Sequence, residues 1–108
     1  MVFLKMFKKE YHVYILKCKD NLYYTGVTSN IQKRFNQHQE GFYKLCFTYK
    51  RRPVEIVFLQ LYSSINQAIQ FEKKIKGWSR RKKEALIEER WNDLIKYSKN
   101  YKDFGKER

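Results

Sequence analysis

Cysteine is scarce in this sequence, and long apolar runs are absent. The two cysteines, Cys18 and Cys46, are too few and too far apart for a disulfide framework or a four-ligand zinc site. No segment approaches the roughly 20 apolar residues that a membrane span needs, and residues 1–10 lack the apolar core of a signal peptide. There is also no internal repeat and no low-complexity segment. We therefore expect a soluble, cytoplasmic protein with no membrane partner, in which both cysteines are buried and reduced.

Acidic residues are also few, since 11 Asp and Glu face 24 Lys and Arg, which gives a formal net charge of +13 at pH 7. Such a surplus attracts polyanions over a long range, and counterion release adds affinity when the polyanion is nucleic acid. A merely soluble basic protein would have the same charge. The hydrophobic fraction of 43% is sufficient for a modest packed core and argues against disorder throughout. The composition favours a single domain that contacts nucleic acid.

Alternating β-formers predict three strands. Residues 11–18 and 22–28 flank the turn residues 19–21, which is the pattern of a β-hairpin. Pro53 precedes the dense apolar run of residues 54–62, which predicts a third strand that is central and well buried. With the helices described next, the order is β-β-α-β-α-α. This order predicts an α+β fold, in which helices flank a small three-stranded antiparallel sheet.

Capping residues predict where three helices begin. The candidate caps are Ser29 or Asn30 for the first helix, Ser64 for the second and Ser79 for the third. The first helix is expected to end at Gly41, and the third to carry Trp91 on one apolar face with residues 85–87. We expect the domain to cover residues 11–96, with an extension at residues 1–10 and a basic, frayed tail at residues 97–108.

Glu72 falls on the apolar stripe of the second helix, between Ala68 and Ile75. A carboxylate in that position loses hydration unless a cation or a hydrogen-bond donor meets it. Two interpretations remain open at this point. Glu72 forms a buried ion pair with a Lys or Arg, or it is a ligand of a divalent cation, which prefers oxygen ligands.

Arg34 and His38 lie four residues apart and therefore share one face of the first helix. An Arg in that place can bind a phosphate bidentately, and a neutral His can accept or donate a proton, although a solvated polar face explains the pair equally well. Tyr14 and Tyr24 lie on the two hairpin strands. A phenol is a poor base, with a pKa near roughly 10, unless neighbouring cations lower it. None of these features decides the function alone.

Together, these residues resemble the GIY-YIG nuclease module. The resemblance is carried by segments 12–16 (HVYIL) and 23–27 (YYTGV), whose tyrosines are ten residues apart, and by Arg34, His38 and Glu72 after them. It extends from about Tyr11 to Leu86 and is greatest for the small single-domain bacterial members. These are related to the N-terminal cleavage domain of an excision-repair nuclease. The sequence departs from the family in the triplet His12-Val13-Tyr14, which lacks the glycine, and at Val27, where some members have Lys.

The resemblance implies a metal-dependent endonuclease that hydrolyses phosphodiester bonds in nucleic acid, with DNA as the expected substrate and repair or DNA processing as the expected context. By resemblance, Tyr14 and Tyr24 face the scissile phosphate, and Gly26 leaves room beside them. Arg34 neutralises the charge that develops on the phosphate, and His38 assists proton transfer or phosphate contact. Glu72 holds one Mg²⁺ or Mn²⁺ ion. The basic residues expected to contact nucleic acid are Lys44, Lys50, Arg51, Arg52, Lys76, Arg80 and Arg81.

Two other functions remain open. A non-catalytic nucleic-acid-binding module with the same fold would use the positive charge and the aromatic side chains, but it would have no use for Glu72. A recruitment domain of a repair complex would dock through the region of Trp78 and Trp91.

Overall fold

The computed structural model describes residues 9–105, with side chains as far as residue 98. Strands β1 (Tyr11–Lys17) and β2 (Tyr23–Thr28) form the predicted antiparallel hairpin. Its turn contains Asn21, whose φ of 67° lies in the left-handed region that Asn tolerates. Strand β3 (Glu55–Tyr62) pairs antiparallel with the other edge of β1, which gives the sheet order β2-β1-β3. The predicted three-stranded antiparallel sheet is confirmed.

The central strand is β1, so the prediction of a central, well-buried third strand is wrong. β1 is paired on both edges, and its residues Val13, Tyr14, Ile15 and Leu16 have no exposed surface. β3 is paired on one edge, and its Leu59 and Leu61 are 46% and 47% exposed. A dense apolar run predicts that a strand forms, but it carries no information about how many neighbours that strand will have.

Residues 9–105 contain four α-helices, and the first three begin where the candidate caps predict. They are α1 (Ile31–Glu40), α2 (Ile65–Lys76), α3 (Arg80–Ile87) and α4 (Trp91–Gly105), with a 3-10 turn at Tyr49–Arg51 before β3. Asn30 caps α1 by accepting the Lys33 N–H at 3.1 Å. Ser79 caps α3 in the same way, accepting the Lys82 N–H at 3.3 Å. The predicted caps at these two helices are confirmed, and the α+β architecture with them.

The predicted third helix is in fact two helices, α3 and α4. They are separated at Glu89, whose φ of 57° is left-handed, and Arg90 forms ion pairs there with Glu88 and Asp93. Trp91 therefore begins α4 and does not continue the apolar face of α3. Residues 97–105, which the sequence analysis places in a basic tail, continue α4, which ends at Gly105. The break escaped prediction because neither Gly nor Pro marks it.

The chain divides into two compact units between Lys76 and Gly77. The first contains the sheet, α1 and α2, and the second contains α3 and α4. In the first unit, an apolar core formed by Tyr14, Leu16, Cys18 and Val54 packs against half-buried side chains of α1. None of the helices within residues 9–105 has the length and apolar character needed to cross a bilayer.

Gly41 at the end of α1 provides a test of the fold. Its φ is 75°, and a Cβ at this position would lie 2.5 Å from Arg52 Nη1. We expect Gly41→Ala to lower the free energy of unfolding by about 1–2 kcal/mol, because an L-residue is strained in the left-handed region. Chemical denaturation measures this loss. Gly77→Ala is the matched control, since Gly41 is the glycine with a positive φ among the described residues. Equal losses in the two variants would contradict the expectation.

Candidate active site

The pairing of Tyr14 with Gly26 across the hairpin places the first tyrosine. A Cβ on Gly26 would lie only 2.4 Å from Tyr14 Oη, so the missing side chain is what allows the phenol to lie across β2. Tyr24 precedes Gly26 by two residues and therefore projects from the same face of β2. The ring centroids of Tyr14 and Tyr24 are 6.4 Å apart. The hairpin thus brings the two tyrosines together.

Helix α1 brings Arg34 and His38 to these tyrosines. His38 Nε2 lies 3.1 Å from Tyr14 Oη, and the His38 ring lies 5.1 Å from the Tyr24 ring. The Arg34 guanidinium donates to the Val27 carbonyl at 3.5 Å and lies close enough to the Tyr14 phenol to act on its pKa. Four of the five expected catalytic residues therefore meet in one place. We call Tyr14, Tyr24, Arg34 and His38 the tyrosine–histidine cluster.

A cavity of about 490 Å³ opens beside the cluster. Its walls are Tyr24, Arg34 and His38 together with loop residues Tyr43, Lys44, Leu45 and Cys46. Tyr14 has no exposed surface and lies behind the other members of the cluster. A phosphate in the cavity would therefore contact Tyr24, Arg34 and His38 directly, and Tyr14 only after some rearrangement.

The loop after α1 contributes residues that sequence analysis missed. Thr48 Oγ1 lies 2.8 Å from His38 Nδ1, and the Thr48 hydroxyl donates to Cys46 Sγ at 3.5 Å. Tyr43 donates to the side chain of Gln37 at 2.6 Å, and Arg34 lies over its ring. The sequence offered no signal for these contacts, because the loop has no hydrophobic period. Cys46 is also only half-buried, so the expectation of two buried thiols is correct for Cys18 alone.

Burial, and after it the charge of Arg34, lowers the pKa of His38 from 6.5 to about 4. His38 is therefore neutral at pH 7. Burial raises the pKa of Tyr24, and it also raises that of Tyr14, where the hydrogen bond and charge of Arg34 oppose the shift without outweighing it. Arg34 acts to lower the pKa of Tyr14, as expected of a neighbouring cation, but burial raises that pKa by more. Both phenols are protonated at neutral pH, because burial removes the water that would stabilise a phenolate.

Glu72 is buried on α2, being 9% exposed, and its Oε2 lies 3.3 Å from Lys76 Nζ. Its ion-pair partner is therefore Lys76, one of the cations expected to contact nucleic acid, and not a member of the tyrosine–histidine cluster. Within residues 9–105, no group of three or more His, Cys, Asp or Glu side chains is arranged to hold a metal. One carboxylate still fits Mg²⁺, which keeps several waters and often binds through one or two carboxylates together with substrate phosphates. The Lys76 side chain is 59% exposed and is able to turn away.

Most of the other basic residues expected to contact nucleic acid have partners within the chain. Arg51 forms an ion pair with Asp20 at 3.0 Å, and Arg52 donates to the Tyr49 carbonyl at 2.8 Å. On α3, Arg80 pairs with Glu84, and Arg81 lies over the Tyr97 ring. Lys44 and Lys50 are exposed, and Lys44 lines the cavity. These two lysines are the best placed of the set to meet a phosphate backbone.

The contact between Gly26 and Tyr14 predicts a specific sensitivity. Gly26→Ala should displace the Tyr14 ring, which has no solvent to turn into, and should lower the free energy of unfolding by about 1–3 kcal/mol. The His38 side-chain NMR signals should move with it, because Tyr14 is hydrogen-bonded to that ring. In a Tyr14→Leu background no phenol overlies position 26, so the same substitution should cost less. A cost independent of residue 14 would argue against the contact.

The lowered pKa of His38 predicts a pH dependence. The native state binds this proton near pH 4, whereas the unfolded chain binds it near 6.5, so unfolded chains hold more protons between these values. The free energy of unfolding should therefore fall as the pH drops through this window, by about 3 kcal/mol in total from this group. NMR titration of His38 measures the pKa directly, and His38→Gln should remove this part of the pH dependence. A titration midpoint near 6.5 would contradict the burial of this ring.

The chain is similar to known proteins over most of its length. Residues 10–85 match the GIY-YIG catalytic domain. UPF0213 protein SH2523 of Staphylococcus haemolyticus is 43% identical over 81 residues, which cover 75% of this chain and 98% of that protein. UPF0213 protein YazA of Bacillus subtilis is 42% identical over 79 residues, covering 73% and 79% of the two chains.

A solved structure shows the same likeness. The solution NMR structure of the UPF0213 protein BH0048 from Bacillus halodurans has a TM-score of 0.50 and 37% identity, and the match covers 73% of this chain and 83% of that one. The chain therefore belongs to the GIY-YIG family, whose catalytic domain is in general a nuclease, and its relatives include the small UPF0213 proteins.

Proposed function

We propose that this protein is a metal-dependent endonuclease that hydrolyses phosphodiester bonds in DNA, and that it acts in the cytoplasm in repair or DNA processing. The observation that carries the proposal is the tyrosine–histidine cluster, in which an Arg and a neutral His line a cavity beside two protonated phenols. Family membership supplies the class of reaction, and the net charge of +13 suits a polyanionic substrate. We assign the activity to residues 11–96.

Arg34 binds the phosphate in this proposal. Its guanidinium lines the cavity and carries a permanent positive charge, so it stabilises the negative charge that develops on the phosphoryl oxygens. Its hydrogen bond to the Val27 carbonyl and its interaction with the Tyr14 phenol hold it in place before substrate arrives. Lys44, exposed on the same wall, adds a second cation at the entrance. This part of the site is therefore preorganised for a phosphate group.

The two tyrosines have different roles because their surroundings differ. Tyr24 lines the cavity, and its raised pKa keeps it a hydrogen-bond donor to a phosphate oxygen. Tyr14 is hydrogen-bonded to neutral His38, which is able to accept a proton. As the water oxygen bonds to phosphorus, a water proton passes to Tyr14 Oη and the phenol proton passes to His38 Nε2. The leaving oxygen departs with the electron pair of its bond to phosphorus and takes a proton from solvent. Because Tyr14 is buried in the free chain, we place this transfer in the substrate complex, where catalytic hydrogen bonds commonly tighten.

Glu72 would hold the divalent metal, Mg²⁺ or Mn²⁺. When bound, such an ion supplies an acidified water and a positive charge beside the phosphoryl oxygens. In the free chain, Lys76 balances the Glu72 carboxylate, whose burial would otherwise be costly. The exposed Lys76 side chain then turns towards solvent or towards the phosphate backbone, which agrees with its expected role in binding nucleic acid.

A non-catalytic nucleic-acid-binding module is the second candidate. Two observations favour it: Glu72 already has an ion-pair partner in Lys76, and Tyr14 has no exposed surface. In this candidate, the lysines contact the phosphate backbone and the aromatic side chains stack with bases. It predicts binding without cleavage on every substrate and with every metal.

Glu72→Gln separates the two candidates. We expect cleavage to fall by about 10²–10⁴-fold, because several kcal/mol of transition-state stabilisation disappear with the metal. Nucleic-acid binding should persist, since the cavity cations are untouched. The melting temperature should change little, because an ion pair with an exposed Lys contributes at most about 1 kcal/mol. The measurement is cleavage of labelled single-stranded, duplex and branched DNA, and of RNA, in Mg²⁺, Mn²⁺ or a chelator.

Glu88→Gln is the matched control, because it makes the same chemical change at an exposed carboxylate that pairs with Arg90. It should cut like the wild type. Lys76→Met reports separately, by its melting temperature, how much the ion pair contributes to stability. If Glu72→Gln cuts as fast as Glu88→Gln, then Glu72 is not the metal ligand. If the wild type binds these substrates but cuts none of them, the binding module is the better description.

A further inference from the structure

Thr48 is one of the most deeply buried polar residues of the first unit, at 1% exposure. It lies in the loop between α1 and β3 and is not one of the residues whose pattern carries the family resemblance. Its Oγ1 has two polar neighbours, His38 Nδ1 at 2.8 Å and Cys46 Sγ at 3.5 Å. A hydroxyl, a neutral imidazole and a thiol can each donate only one hydrogen. When the hydroxyl is buried between the other two groups, few arrangements of these three hydrogens satisfy all the hydrogen bonds.

The proton positions follow from Tyr14. Its hydrogen-bond partner among the described residues is His38 Nε2, and the nearby Arg34 guanidinium, which acts on its pKa, can only donate. The phenol hydrogen of a fully buried Tyr14 needs an acceptor, and among the described contacts that acceptor is Nε2. A neutral imidazole carries one N–H, so when Nε2 accepts, the hydrogen of His38 is on Nδ1.

Thr48 completes the same arrangement from the other side. Its hydroxyl donates to Cys46 Sγ, so Oγ1 is available to accept the His38 Nδ1–H. Three hydrogen bonds therefore run in one direction: from Tyr14 to His38, from His38 to Thr48 and from Thr48 to Cys46. The opposite direction would place a hydrogen on Nε2 and leave the Tyr14 phenol hydrogen without an acceptor. Burial opposes ionisation of Cys46, but the hydrogen bonds from Thr48, Tyr24 and Phe47 together outweigh it and lower the pKa of that thiol.

We infer that Thr48 is a positioning residue, which accepts the Nδ1–H of His38 and, with the Tyr14 phenol on the other side of the ring, holds the tautomer whose Nε2 lone pair faces that phenol. Its relevance to catalysis rests on the proposed function, in which Nε2 receives the phenol proton. After that transfer the imidazolium keeps its Nδ1–H on the Thr48 oxygen, so Thr48 also stabilises the charged ring. The tautomer itself is a property of the free protein and can be measured without any substrate.

The experiment compares Thr48→Val with Thr48→Ser by ¹⁵N NMR of the His38 ring, and His12 serves as an internal reference. Wild type and Thr48→Ser should show a hydrogen on Nδ1 and none on Nε2. Thr48→Val keeps the shape but lacks the hydroxyl, so the buried Nδ1–H has no acceptor there and part of the population should carry its hydrogen on Nε2 instead. If the wild type cleaves, kcat should fall by about 10–100-fold in Thr48→Val with little change in KM, and it should recover to within a few-fold in Thr48→Ser.

Tyr14→Phe provides a second variant that does not depend on the folding of Thr48→Val. It removes the phenol but leaves Thr48, so the Nδ1–H tautomer should persist. Loss of the tautomer in Tyr14→Phe would overturn the inference, because the phenol would then be the group that sets it. An unchanged ring in folded Thr48→Val would overturn it too, as would a changed ring with wild-type kcat. If the wild type cuts nothing, the proposed nuclease fails, while the positioning role is still decided by the NMR result.

Discussion

The burial of the Tyr14 phenol is the constraint on which the rest of the site depends. A phenol with no exposed surface needs a partner for its hydroxyl, and this one finds Arg34 and His38 on α1. It also needs space over the neighbouring strand, which Gly26 provides by having no side chain. One buried group therefore fixes the position of α1 against the sheet and the position of the cluster residues within it. Packing and chemistry are coupled at this point.

The same burial determines the charges in the site. Removing water raises the pKa of both tyrosines and lowers that of His38, so Arg34 is the charged member of the cluster at neutral pH. Arg34 is thus a cation surrounded by two neutral phenols and a neutral imidazole. Because no carboxylate in the cluster neutralises it, its charge is available to an anionic phosphate. Arg34 also weakens the tendency of His38 to protonate, which preserves the acceptor that the proposed proton transfer requires.

The ion pair of Glu72 with Lys76 is compatible with the proposed role of Glu72 as a metal ligand. The ion pair is present in the free chain, and it keeps a carboxylate buried on an apolar stripe without a large desolvation cost. A divalent metal would carry out the same compensation in the bound state. The ammonium group of Lys76 is on an exposed side chain, so a metal ion would replace it beside Glu72 with only a change of the Lys76 side-chain conformation. The resting chain and the proposed metal-bound chain therefore use the same carboxylate.

Much of the fold could be predicted, because turn residues and helix caps act locally. Asn30 and Ser79 begin their helices where expected, and the hairpin turns at residues 19–21 as expected. The predictions were wrong where the outcome does not depend on the nearby residues of the sequence. The apolar content of β3 did not reveal that this strand lies at an edge, and Glu89 breaks the helical run with a left-handed φ that no Gly marks.

The sequence by itself determined which residues share a face, because strand and helix periods fix the direction of each side chain along its own element. That is why the shared face of Arg34 and His38 could be foreseen, whereas the place of Gly26 beside the tyrosines was expected from the family resemblance. Only the tertiary structure decided that His38 is neutral, that Tyr24 lines the cavity while Tyr14 does not, and that Thr48 meets the far side of the imidazole. Desolvation and hydrogen bonding depend on neighbours that are distant along the chain, and no local pattern records them.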